Sequence, residues 1–293
     1  MSPVLQPLPE VPWGPVIGMY FILAGVAAGT TLVAEWVEPQ DDHTAMAFVW
    51  KTSWVAMVAL ILCGVLLIVD LGRPARFFLM LTRFANLGSA MSIGAKIIAL
   101  KGFLLALYLY LLRRRRHALA TGDVIMAPGM TRVAYTVVPA LLAVVSLCLA
   151  AYPAILLART WFAPLAASAG AALLFVTTAL LLGAAVATCV AYDETLVTRL
   201  RGIMLFLGVA QLGLLLLAGL ALYGGAPAVE RALGTLLIGR AAAVFWLLAM
   251  GMGLGVPLVA LAAVQQQRLI VMASAVCLFV GAATLRFLIF TVT

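Results

Sequence analysis

The sequence predicts an all-α membrane protein of eight transmembrane helices, arranged as two four-helix bundles over residues 1–152 and 153–293. Three observations lead there. Of 293 residues, 66% are hydrophobic and 10% charged, against about 45–50% and about 25% in ordinary soluble domains. The chain divides into eight long stretches almost free of charge, and glycine, proline and charged residues gather between them. A soluble fold of this size has too little interior for so much apolar side chain, so much of it must face lipid. That excludes a soluble enzyme, a secreted disulfide scaffold and a disordered chain. The apolar runs are continuous rather than alternating, which argues against an outer-membrane barrel.

A spanning helix needs about 20 apolar residues. Uncharged segments run over 11–34, 52–69, 89–112 (interrupted by Lys96 and Lys101), 133–158, 160–192, 202–229, 241–267 and 269–285. Breakers separate them: Pro39 with Asp41 and Asp42, then Gly72 with Pro74, then Gly122, Pro128 and Gly129. Pro153 and Pro164 are expected to bracket the fourth connection, and Gly224, Gly225 and Pro227 to close the sixth span. Gln265 to Arg268 joins the last two spans so tightly that they must be antiparallel neighbours. Phe21 precedes Gly29 by eight residues, and Phe175 precedes Gly183 by eight. This echo suits either two related bundles or a chance match between Ala/Leu/Gly-rich helices.

The net charge is +8. In an apolar chain, basic loops that set membrane orientation account for it, and no nucleic-acid partner is expected. Arg113 to Arg116 follow the third span and Arg132 precedes the fourth, which places that side in the cytoplasm. An even number of spans then puts both termini on the periplasmic side of a bacterial inner membrane. The N-terminus carries no Lys or Arg before its first apolar run, so it does not read as a signal peptide. Cys63, Cys148, Cys189 and Cys277 lie in apolar runs without a C-x-x-C, and read as small core residues with no metal site. The two histidines, His43 and His117, lie outside the spans. Transmembrane haem commonly takes axial His ligands on facing helices, so no haem is expected.

Ionisable groups are costly in hydrocarbon and therefore mark candidate sites. Glu35 and Arg286 stand near span ends and are expected to snorkel to the headgroups. Lys96 and Lys101 lie deeper in the third span, and Arg240 opens the seventh. Glu35, Lys96, Lys101 and Arg240 are the candidates for a proton path. The densest polar element is Asp70-Leu71-Gly72-Arg73-Pro74-Ala75-Arg76, where a Gly-Arg-Pro turn brings guanidinium groups back towards a helix-ending carboxylate. Trp13 and Trp161 suit an interfacial aromatic belt, whereas Tyr20 and Tyr152 lie deeper, where a phenol wants a hydrogen-bond partner. In MGMGLGVP, Gly251, Gly253, Gly255 and Pro257 predict a kinked or unwound seventh span.

Several of these segments, in this order, resemble the NrfD/PsrC family of membrane subunits from polysulfide-reductase-type complexes. They are PWGPVIGMYFILAGVAAGTTLVA, DLGRPARFFLML with NLGSAMSIGAK, AYPAILLARTWFAP, the glycine–proline run of span seven, and LRFLIF. The resemblance spans essentially the whole chain, and the DLGRP and MSxG pair is its most specific part. It implies a haem-free subunit of eight spans that passes electrons between membrane quinone, menaquinone or ubiquinone, and a ferredoxin-like iron–sulfur subunit. A molybdopterin catalytic subunit would complete the complex, and this chain would also have membrane lipid as a partner. Tyr20, Asp70, Arg73 and Tyr152 are expected to converge on a quinone site near the outer surface, where by the same resemblance Tyr152 would donate a hydrogen bond to a quinone carbonyl. Several members carry a quinone-binding His early in span one, where this chain has Trp13 and Tyr20. Two other roles stand beside this one: a solute or ion transporter with its site at the broken seventh span, and a passive anchor.

Overall fold

The computed structural model describes residues 15–37, 43–71, 90–121, 130–159, 165, 170–223, 225–263 and 267–292. The described residues are helical, without a strand. The helices are α1 (Pro15–Val37), α2 (His43–Leu71), α3 (Ala90–Thr121), α4 (Met130–Ala158), α5 (Ala171–Val190), α6 (Glu194–Leu222) and α7 (Pro227–Leu237). A π-helical segment (Val244–Gly255) continues into α8 (Val256–Ala263), and α9 (Arg268–Thr291) ends the chain. Among the described residues, eight helices are long and apolar enough to cross a membrane, the π segment and α8 counting as one. In lipid the backbone must satisfy its own hydrogen bonds, and helices do so within each span.

Three helix ends differ from the sequence expectation. The four arginines Arg113 to Arg116 are not loop residues, because α3 runs on to Thr121. Arginine is a good helix former and its long side chain carries the charge into water, so nothing obliges the helix to stop at the membrane surface. Pro153, expected in the connection, lies inside α4 along with Pro139, since a membrane helix tolerates proline when its surroundings re-satisfy the freed carbonyl. The segment after Gly225 forms α7, a short amphipathic helix absent from the sequence reading; Pro227 fits its first turn, and Ala232 and Leu236 are buried. The Trp246 indole N–H donates to the Leu237 carbonyl at 3.0 Å, closing its C-terminal end.

The seventh span is wider than an α-helix. The Val256 N–H reaches the Gly251 carbonyl five residues back, and Pro257, which has no N–H to give, stands just beyond. The glycines also admit a neighbour: a Cβ on Gly253 would lie 2.3 Å from the Gly281 Cα of α9.

α1 packs on α2 and α4, and α3 on α2 and α4, closing one ring. α5 packs on α6 and α9, while α8 meets α6 and α9, closing another. The rings meet where α1 crosses α5. The crossing is backbone against backbone: a Cβ on Gly29 would fall 1.7 Å from the Ala179 oxygen, and one on Gly183 would fall 2.0 Å from the Gly29 carbonyl carbon. The Phe21 and Phe175 rings meet edge to face at 6.5 Å in the same interface. The two halves of the sequence echo are therefore partners across one helix crossing, and only glycine allows so close an approach.

Of the cysteines, Cys63 is buried, Cys277 is half-buried, and Cys148 and Cys189 are exposed. The expectation of four core cysteines is thus corrected for the last two. A thiol on an apolar helix is no liability against lipid, so sequence gave no reason to place it inward.

Candidate functional site

The interior of the first ring carries a column of polar side chains. At the end nearer the chain termini, Tyr20 of α1 and Tyr152 of α4 are both buried and lie within electrostatic reach of each other. The Cys63 thiol donates to the Tyr20 carbonyl at 3.5 Å. The Tyr152 ring rests on the backbone of Gly94: a Cβ there would stand 2.3 Å from the phenol oxygen. Gly94 is the glycine of the MSxG motif, so that motif and the tyrosine of AYP form one structural unit. Beside them a groove of about 300 Å³ runs between α3 and α4 over Ile93, Ile97, Leu147, Ala151 and Ile155, with Tyr152 in its wall.

Two turns along α3 from Gly94, roughly 10 Å at 1.5 Å per residue, is Lys101, with no exposed surface. Seven residues apart, Gly94 and Lys101 share a helix face, and a helical side chain leans back towards the N-terminus, here towards Tyr152. The Lys101 ammonium donates to Thr31 Oγ1 of α1 at 3.1 Å and to Ser146 Oγ of α4. Those hydroxyls in turn donate to the Ala27 and Leu142 carbonyls at 3.0 and 2.6 Å. One turn beyond Thr31 on α1, Glu35 is half-buried and acts electrostatically on Lys101. The sequence reading missed Thr31 and Ser146. Thr31 stands four residues before Glu35 and eleven after Tyr20, spacings that share one helix face, and that register was the available signal. A lone serine in an apolar run offered none.

Arg286 does not snorkel. It is fully buried, where α9 meets α1 and α5. Its guanidinium donates to the Phe21 carbonyl at 2.7 Å, to Thr178 Oγ1 at 3.0 Å and to the Phe175 carbonyl. It also lies 5.2 Å from the Phe175 ring centre. A Cβ on Gly25 would come within 2.8 Å of the guanidinium carbon. A span end in sequence is not a surface when neighbouring helices cover it, and the fork of donors finds enough carbonyls there to stay. Nearby, Thr177 donates to the Gln211 amide oxygen, and the buried Gln211 Nε2 has no hydrogen-bond partner among the described residues.

The remaining expected residues do not join the column. Lys96 is half-buried on another face of α3, and Arg240 is exposed in the turn before the π segment. The Asp70 side chain, Arg73, Trp13 and Trp161 lie outside the described residues. Among the described residues, no three His, Cys, Asp or Glu side chains gather as a metal site would require.

A family model described as "Polysulphide reductase, NrfD" matches residues 4–292. The chain belongs to the NrfD family. Members of the NrfD family are membrane subunits of quinone-linked oxidoreductases, which in general partner with iron–sulfur and catalytic subunits. With eight apolar spans, this NrfD protein is a multi-pass integral membrane protein. No curated protein matches the chain.

Proposed function

We propose that this NrfD protein binds a quinone or quinol at the terminal end of the first ring and exchanges electrons with an iron–sulfur subunit docked there. The observation that carries the proposal is Tyr152, held on Gly94 in the wall of an apolar groove beside buried Tyr20. The fit is chemical: an apolar channel suits a prenyl tail, and a phenol O–H suits a carbonyl head. Quinone, when bound, supplies a two-electron, two-proton couple in the lipid phase. The chain's residues supply the rest. Tyr152 donates a hydrogen bond to the headgroup, Tyr20 backs it, and the α3–α4 walls exclude water. Asp70 and Arg73 complete the polar edge in this reading, and the terminal side is the periplasmic side of a bacterial inner membrane. The chain divides into two four-helix bundles, 1–152 and 153–293 apart from the last turn of α4.

The same column carries a proton path in this proposal. Tyr152, Lys101 and Glu35 are spaced along one interior, with Thr31 and Ser146 as hydroxyl relays. Lys101 accepts and releases the proton, and Glu35 passes it to the arginine-rich side. Lys96 and Arg240 serve structure. A transporter site at the seventh span is disfavoured because the Gly253 face is filled by Gly281.

A tagged chain purified from its native membranes tests the assignment. Co-elution of an iron–sulfur chromophore that quinol reduces is the expected result. Tyr152→Phe should then raise the apparent quinol KM several-fold with assembly unchanged. Wild-type kinetics in that variant would reject the Tyr152 role, and a lone protein that moves a solute in liposomes would reject the whole reading.

A further inference from the structure

A second cavity lies away from this column. It is a groove of about 730 Å³ between α2 and α3 at the arginine-rich end. Because α3 stays helical through its four arginines, residues 106, 109, 113 and 116 share one face, at spacings of three and four. Opposite them, Trp50, Trp54 and Met57 of α2 stand at the same spacing.

The groove is graded along its length. Arg113 and Arg116, both exposed, stand at the outer end, with the Arg116 guanidinium 5.1 Å from the Trp50 ring centre. Trp54 and Tyr110 occupy the middle, and Met57, Ala106 and Leu109 form a wholly apolar inner end. Three other cations at this end have structural work. Arg201 donates to the Leu261 carbonyl at 2.8 and 2.5 Å, Arg268 to the Ala191 carbonyl at 2.9 Å, and Lys51 sits 4.8 Å over the Tyr192 ring. Among the described residues, Arg113 has no such occupation and Arg116 has only the Trp50 ring.

We propose that this groove is a binding site for an anionic phospholipid, its phosphate on Arg113 and Arg116 and one acyl chain along Met57, Ala106 and Leu109. Guanidinium pairs bind phosphate through charge-assisted hydrogen bonds, and basic clefts between helices at a membrane surface hold anionic headgroups. A soluble acidic protein would match the arginines and leave the apolar inner end unfilled. The charge and the floor together select a lipid. The site is independent of the quinone reading and of which face is cytoplasmic.

The test uses the whole protein in nanodiscs of phosphatidylcholine doped with a minor fraction of acyl-brominated lipid, whose bromines quench nearby tryptophans. Brominated phosphatidylglycerol should quench more than brominated phosphatidylcholine at equal fraction, and high salt should shrink the excess. Trp50→Phe with Trp54→Phe should remove the excess. Arg113→Gln and Arg116→Gln should each weaken the preference about fivefold. Ala106→Phe keeps both charges on an exposed position and should block the acyl leg, which decides the matter if the arginine variants fail to fold. Equal quenching by the two lipids overturns the proposal, as does an excess that survives Arg113→Gln with Arg116→Gln or Trp50→Phe with Trp54→Phe. Such survival would mean that the anionic lipid binds elsewhere.

Discussion

Lys101 and Arg286 are both fully enclosed among the spans, yet their surroundings make them different devices. Arg286 is a strut. Its planar fork is divided among α1 and α5, it faces an aromatic ring, and a guanidinium does not deprotonate in a protein. Lys101 is a point charge on a flexible stem. Among the described residues it donates to two hydroxyls, each already donating to its own helix, and a carboxylate acts on it from nearby. One cation holds helices together through contacts they would otherwise lack. The other can give up its proton while both hydroxyls stay bonded to their own helices. Burial alone therefore says little about a cation's role, and the number and kind of its acceptors say much.

The largest effect should come from removing the strut. Arg286→Ala opens a cavity and deletes at least two charge-assisted hydrogen bonds, a loss on the order of 3 kcal/mol. Folded protein recovered from membranes should fall sharply, and Arg286→Lys should not restore it, because an ammonium cannot span the same three acceptors. Full recovery of the lysine variant would dissolve the contrast. Close behind comes the α1–α5 crossing. Gly29→Ala or Gly183→Ala forces two backbones apart and should cost at least the ~1–3 kcal/mol of ordinary overpacking. Gly64→Ala, with nothing within 4 Å of its added carbon, should leave the detergent melting temperature unchanged or slightly higher.

Lys101→Met sharpens the comparison from the other side. Methionine matches the length of the lysine stem and spares the desolvation of a buried charge, and Glu35, which loses its counter-charge, is only half-buried, so the variant should assemble at near wild-type yield. In liposomes holding the complex and a pH dye, transmembrane proton movement should stop while electron transfer continues. Unchanged proton movement would show that Lys101 conducts nothing, and collapse of the fold would make it a second strut.

The smallest effect lies at the head of α6. The Thr195 hydroxyl, followed by the Leu196 N–H at 3.3 Å, donates to Asp193 and holds its carboxyl below the usual carboxylate range. A lowered folded value means that the stabilisation is present above the unfolded value near ~3.9 and is lost as pH falls through the lowered one. Asp193→Ala should lower the melting temperature slightly at neutral pH, and the gap to wild type should narrow in acid. A gap that is constant with pH would remove the carboxylate from the account.

Composition and spacing alone determined that the chain crosses the membrane, how many times it does so, and where most spans end. Those properties follow from the transfer free energy of side chains summed along one segment, which needs no neighbour. That the seventh span departs from a regular α-helix was also legible, because proline and glycine act on their own backbone, although its π-helical form was not. The repeat of Phe21–Gly29 in Phe175–Gly183 was visible but mute until the structure put the two pairs against each other. Three things were decided only by tertiary contact: that Arg286 stays inside, that Thr31 and Ser146 stand at Lys101, and that Gly94 seats Tyr152. Each depends on acceptors or space contributed by helices far away in sequence, and a polar residue in an apolar run looks the same whether it faces lipid, a groove or a carbonyl on another span.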